Sequence, residues 1–110
     1  MNPVILFQLE TENIKVTVEA FFEAGGSLVV EGHDIGKTVL EYWGDSDYEY
    51  AVRVPPAEVV KLYALLAVPE NDQAGLLERL HFQFHTNTCF SEFRDFLDQS
   101  GIHSEGSSWV

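Results

Sequence analysis

The chain has 110 residues, of which 45% are hydrophobic and 13% aromatic. This length suits one domain over residues 1–110 with a core that needs no disulfides, and the composition excludes wholesale disorder. Eighteen Asp and Glu against six Lys and Arg give a net charge of -12, which argues against binding nucleic acid or anionic lipid because both require positive potential.

Cys89 is the only cysteine, so no disulfide can form within the chain and a reducing compartment is the expectation. Glu10 and Glu12 follow the short apolar run 4–9, and no basic segment precedes it, so we expect no signal peptide. No stretch approaches the roughly 20 apolar residues of a membrane helix. These features together predict a cytoplasmic protein.

The first part of the chain has the patterns of β-strands. The apolar run 4–9 is nearly continuous, which indicates a strand buried on both faces. Apolar and polar residues alternate from 14 to 23, which predicts a half-buried strand. Gly25 and Gly26 predict a tight turn into a third strand over 27–31. His33 and Asp34 are expected in the loop that follows.

Residues 38–54 are predicted to form a hairpin, with strands at about 38–43 and 48–54 around an acidic turn. The expected register pairs Trp43 with Tyr48. Alternation then gives one largely aromatic face that packs on the core: Val39, Glu41, Trp43, Tyr48, Tyr50 and Val52. The other face is expected to meet water or a partner: Leu40, Tyr42, Glu49, Ala51 and Arg53.

Three helices are predicted after the sheet. Pro56 suits the first position of one helix, Asn71 or Asp72 can cap the second, and Thr88 can cap the third, which ends at Gly101. The tail from residue 102 either adds a strand or lies loose. We therefore predict an α+β fold: an antiparallel sheet of about five strands in the N-terminal half, covered on one face by about three helices of the C-terminal half. The helices are expected to pack on the 14–22 face of the sheet and to bury Phe93.

Few residues form a pattern typical of catalysis or metal binding. His81, His85 and Cys89 are spaced by four, as zinc ligands on a helix can be, but Asn87 and Thr88 interrupt that helix. Cys89 is better interpreted as a small core residue. We expect no metal, no cofactor and no catalytic residues.

Glu41 supports a different hypothesis, that of a small enzyme. On the aromatic face of the hairpin this carboxylate would have a raised pKa and could serve as a general acid or base with His33 or Asp34. The alternative is a structural Glu that hydrogen-bonds a tyrosine hydroxyl.

Acidic residues around the hairpin turn indicate a binding surface instead. Tyr42 is expected beside Glu49 and near Asp45 and Asp47, and a tyrosine surrounded by carboxylates is typical of an anchor for a basic partner. With Asp34, these residues form the predicted partner-binding site.

Two resemblances bear on function. Residues 28–34, Leu-Val-Val-Glu-Gly-His-Asp, and 42–50, Tyr-Trp-Gly-Asp-Ser-Asp-Tyr-Glu-Tyr, resemble a group of small acidic bacterial proteins of uncharacterised activity, with a Gly-x-Asp segment ahead of a Trp-Gly…Tyr-Glu-aromatic hairpin. That likeness implies no site residues. In size, acidity and α+β build, the chain also resembles bacterial immunity proteins that neutralise toxins of contact-dependent inhibition systems.

The expected function is therefore that of an acidic cytoplasmic binding protein, an immunity protein or antitoxin against a basic nuclease-like toxin. A nuclease carries a positive cleft for phosphates, and a compact acidic protein can block it. The alternatives are the small enzyme that uses Glu41, and a non-catalytic structural or oligomerisation domain.

Overall fold

The computed structural model describes residues 3–44 and 47–109, together with their side chains except those of Thr38, Tyr42, Trp43 and Trp109. Within these residues an antiparallel sheet carries helices on one face. The elements follow in the order β1 (Val4–Glu10), β2 (Lys15–Phe22), β3 (Leu28–Ile35), α1 (Lys37–Trp43), β4 (Asp47–Val54), α2 (Pro56–Leu65), α3 (Gln73–Gln83), α4 (Cys89–Gln99) and β5 (Glu105–Trp109).

The sheet is a meander in which each strand pairs with the next, in the order β1-β2-β3-β4-β5. β2 has the predicted alternation, and in its register Val18 pairs with Gly32 and Ala20 with Val30. A one-residue slip would turn its apolar side chains to the wrong face. The prediction of an α+β fold with a five-stranded antiparallel sheet is confirmed.

One face of the sheet and the helices α2, α3 and α4 share a single apolar core. Val18 and Ala20 of β2 are buried there, and Phe22 packs against the same cluster, so the predicted helix-facing side of β2 is confirmed. Phe93 of α4 is 0% exposed, as predicted. Burial of this apolar surface is the main term that holds the two layers together.

The prediction of a loop around His33 and Asp34 is wrong, because β3 continues to Ile35. His33 pairs with Thr17 of β2, and on its other side with Glu49 of β4. With a strand on each side, the backbone of this segment has hydrogen-bonding partners that a loop would lack.

The predicted strand over 38–43 is also wrong, since these residues form α1. Gly36 precedes the helix with φ 133, and Gly44 ends it in the left-handed region, its N–H bonded to the Leu40 carbonyl. That bond is a typical helix C-cap. The pairing of Trp43 with Tyr48 does not occur, and Glu41 lies exposed on α1, away from the position that the hairpin register gave it.

The two outer strands of the sheet differ from expectation in different ways. β1 is an edge strand in which only Leu6 is fully buried, so the prediction of a strand buried on both faces is wrong. The fifth strand comes from the tail, where β5 pairs with β4. Of the two alternatives for the tail, the added strand is correct.

The helix termini follow the predicted signals. Pro56 begins α2, and the Asp72 side chain caps α3 by accepting a 3.0 Å hydrogen bond from the Gly75 N–H. Thr88 stands at the N-cap position of α4, but its side chain makes no capping hydrogen bond and donates to Glu92 instead. Gly101 follows the end of α4 with φ 69. In the described part of the chain, none of the helices has the length and apolar character needed to cross a membrane.

Candidate functional site

The sheet face opposite the helices carries an acidic patch, formed by side chains that the strand register brings side by side. Glu19 of β2 pairs with Glu31 of β3. Two residues further along β3, on the same face, His33 pairs with Glu49 of β4. We define the acidic patch as Glu19, Glu31, Asp47 and Glu49, with His33 among them.

Crowding of like charge in the acidic patch is visible at Glu31. Partial burial raises the pKa of Glu31, and the neighbouring carboxylates of Glu19 and Glu49 raise it further, while His33 opposes the shift. A carboxyl group in this situation gains from any positive charge brought close to it. The patch is therefore suited to a cationic partner.

His33, Asp47 and Glu49 bring three potential metal ligands together, with one ligand atom from each lying within 4.8 Å of the others. His33 Nε2 contacts Asp47 Oδ1 directly and lies 3.8 Å from Glu49 Oε1. Imidazole nitrogen and carboxylate oxygen are both ligands for divalent metals. All three side chains are partly exposed, and exposed acidic groups commonly cluster without a metal, so this grouping alone defines no metal centre.

The helix-facing side of the sheet contains a separate cleft of about 600 Å³. It lies where the inner surface of β4 and β5 extends beside α4. Its floor is formed by Tyr48, Tyr50 and the small residues of β5, and its wall by Phe90, Ser91 and Arg94. We call this space the α4–β5 cleft.

Asp34 and Tyr50 form a hydrogen-bonded pair in the α4–β5 cleft, in which the tyrosine hydroxyl donates to Asp34 Oδ1 at 2.8 Å. Burial raises the pKa of Asp34, and the hydrogen bond from Tyr50 only partly offsets this effect. Burial and the adjacent Asp34 raise the pKa of Tyr50, so its hydroxyl stays protonated at neutral pH. The pair thus presents a half-buried carboxylate held in a fixed direction.

Two aromatic rings contact the tyrosine of this pair. The Tyr50 ring meets Phe90 edge to face at 4.7 Å and lies 5.4 Å from Tyr48. Edge-to-face pairs of this kind add to the stability that area burial alone provides. The cleft therefore has an aromatic wall beside its carboxylate.

The structure divides the predicted partner-binding residues between two faces. Asp47 and Glu49 lie together in the acidic patch, whereas Asp34 faces the α4–β5 cleft on the opposite side of the sheet. The backbone of Tyr42 belongs to α1, but its side chain is outside the described residues, as is Asp45. A partner-binding role for these residues stays a prediction.

The row of His81, His85 and Cys89 is not assembled as a set of ligands. His81 Nδ1 lies 2.8 Å from the Ile5 carbonyl, and His85, which follows the end of α3, bonds the Phe82 carbonyl of that helix. Cys89 is fully buried, and burial raises the pKa of its thiol. Its interpretation as a core residue is confirmed.

Two sets of residues could not be identified as parts of a site from sequence. Glu19 and Glu31 join the acidic patch only through the register of three strands. Phe90 and Arg94 join the α4–β5 cleft because β5 returns beside β4. Spacing of four between Phe90 and Arg94 on one helix was the only available signal.

Comparison with known proteins gives no relative for this chain, since no protein-family model, curated protein or solved structure matches it.

Proposed function

We propose that the chain is an acidic cytoplasmic binding protein, an immunity protein or antitoxin that neutralises a basic nuclease-like toxin by covering its active-site cleft. The observation that carries this proposal is the acidic patch on the face of the sheet opposite α2, α3 and α4. A nuclease cleft holds phosphates with positive charge, so the two surfaces are electrostatically complementary.

The patch keeps a net negative charge because its four carboxylates outnumber the nearby cations: Lys15 lines the same surface, and the arginine on this face is already engaged. Arg53 donates from Nε to Glu23 Oε1 at 2.6 Å, at the far end of β4. Basic side chains of a partner would replace the repulsion around Glu31 with attraction. Strands also hold carboxylates more rigidly than a loop does, so less conformational entropy is lost on binding.

The first experiment tests protection in cells. Candidate nuclease toxins are each expressed together with the chain, and survival is compared for two matched triple variants. The variant E31Q/D47N/E49Q removes three of the four carboxylates of the patch, and E92Q/D95N/D98N removes three exposed charges from α4. We expect the first to lose protection and the second to keep it. Loss in the α4 variant alone would place the interface on the helices.

The second experiment measures association kinetics between the two purified proteins across a salt series. The Debye length falls from about 10 Å at 0.1 M to about 3 Å at 1 M salt, so the association rate should fall steeply while dissociation changes less. The patch variant should flatten that dependence. An unchanged salt slope would refute the role of Glu31, Asp47 and Glu49.

A further inference from the structure

The α4–β5 cleft carries two opposite charges that do not neutralise each other. Asp34 and Arg94 both line it, yet they form no ion pair. Asp34 is instead held by the Tyr50 hydroxyl. A cleft with separated charges of opposite sign presents complementary sites to a ligand that itself has both charges.

Arg94 is one of the cations whose charge is not paired in the described part of this acidic chain. Arg53 pairs with Glu23 and Lys61 with Glu58, but in the described part of the chain the Arg94 guanidinium has no carboxylate within ion-pair distance. It lies over the backbone of Gly106, where an added Cβ would meet Nη2 at 3.2 Å. The guanidinium therefore reaches across from α4 to β5, inside the cleft.

The groups beside Arg94 suit a carboxylate ligand. Ser91 lies one helical turn earlier on α4, and Ser108, which pairs with Tyr50, lines the opposite side. A guanidinium can bind a carboxylate with two parallel hydrogen bonds, and hydroxyl groups can donate to the remaining lone pairs. Asp34, beside the aromatic rings of Tyr48 and Phe90, in turn suits an ammonium group.

We propose that the α4–β5 cleft binds a small zwitterion, an amino acid or dipeptide with an aromatic side chain. Arg94 holds its carboxylate, Asp34 holds its ammonium group, and the ring packs against Tyr48 and Phe90. The volume of about 600 Å³ lies within the range of small-molecule sites, roughly 300–1,000 Å³. This site is on the opposite side of the sheet from the acidic patch and does not depend on the toxin.

Calorimetry with chemically matched ligands tests the two charges separately. The probes are L-phenylalanine and the dipeptide Ala-Phe, each compared with its C-terminal amide, which lacks the carboxylate, and its N-acetyl form, which lacks the ammonium group. We expect at least one zwitterion to bind, and each of its derivatives to bind about tenfold more weakly or worse, because each loses a charged hydrogen bond.

Protein variants then identify which residue binds which charged group of the ligand. Arg94→Gln should weaken the zwitterion about tenfold but leave the affinity for the amide unchanged, since the amide offers no carboxylate. Asp34→Asn, whose side-chain oxygen still accepts from Tyr50, should weaken binding of the zwitterion about tenfold. It should leave the affinity for the N-acetyl form unchanged, since that form has no ammonium group. Arg79→Gln is the control, because Arg79 lies over Phe82 on α3, away from the cleft. Absence of zwitterion binding, or losses that do not pair in this way, would overturn the proposal.

Discussion

The ring of Tyr50 occupies the space over the α-carbon of Gly32, its direct partner on the neighbouring strand. A Cβ at position 32 would overlap the ring carbons and the hydroxyl. Glycine here is required by a close approach of a side chain rather than by a turn. The orientation of Tyr50, and through it that of Asp34, depends on the missing side chain.

Gly32→Ala should therefore destabilise the protein by about 1–3 kcal/mol, the usual cost of overpacking. In a strand without this contact, replacing glycine by alanine would raise the stability slightly. Gly25→Ala is the matched control, because nothing lies within 4 Å of a Cβ there, and it should change stability by less than about 0.5 kcal/mol. Urea denaturation measures both. An equal cost of Gly32→Ala in a Tyr50→Ala background would show that the ring is not responsible.

Phe93 and Phe82 provide a comparison of buried and exposed phenylalanines on neighbouring helices. Phe93 is 0% exposed and packs edge to face on Phe84, whereas Phe82 is 71% exposed. Phe93→Ala should cost about 3–5 kcal/mol in the free energy of unfolding. Phe82→Ala should cost less than about 1 kcal/mol, because it loses mainly its contact with Arg79. Similar losses for the two variants would contradict the position of α4 against the sheet.

Glu31 should make the protein less stable as the pH rises from acid to neutral. Its pKa in the folded state is raised above the ordinary value of 4.5, first by burial and then by Glu19. The favourable contribution of the protonated group is complete below that value and is lost as pH rises through the folded-state pKa. Glu31→Gln, which cannot ionise, should flatten this fall and be at least as stable as the native chain at neutral pH. Denaturation from about pH 4 to about pH 8 measures it.

Glu92 is a control because its pKa is shifted in the opposite direction to that of Glu31. Hydrogen bonds from Thr88 and Thr86 lower its pKa, so its contribution is present above the ordinary value and is lost as the pH falls. Glu92→Gln should change the acid side of the profile and leave the fall toward neutral pH in place. A profile of Glu31→Gln that matches the native chain throughout would disprove charge crowding in the acidic patch.

Asp72 should stabilise α3 through its cap. Asp72→Ala leaves the Gly75 N–H without its side-chain acceptor and should cost about 1 kcal/mol. Asp72→Asn keeps an acceptor oxygen and should cost far less. Thermal melting of the two variants separates the hydrogen bond from the general effect of removing a charge, and equal losses would argue against the cap.

The elements that the sequence predicted well are those whose signal is local and periodic. Alternation in β2 and helical spacing around Phe93 each follow from burial of one side of a regular element. Tyr48, Tyr50 and Val52 also face the helices as predicted, because alternation holds in β4 whatever precedes it.

The prediction of a strand before β4 is wrong because the same residues are compatible with two local structures. Gly44 fits a hairpin turn, and it equally fits the left-handed cap that ends α1. Aromatic residues favour strands, but propensity is a weak signal that tertiary packing overrides. The functional surfaces were harder to predict, since Glu19 and Glu31 meet through strand pairing, and Arg94 meets β5 only through the packing of α4.

The position of β5 has a consequence for synthesis of the chain on the ribosome. Translation proceeds from the N-terminus, so β1 to β4 and the three following helices all emerge before residues 105–109. Until then β4 is the edge of a four-stranded sheet, with unpaired backbone groups along one side. A partly synthesised chain is therefore open to pairing with another copy along β4 until β5 pairs with that edge.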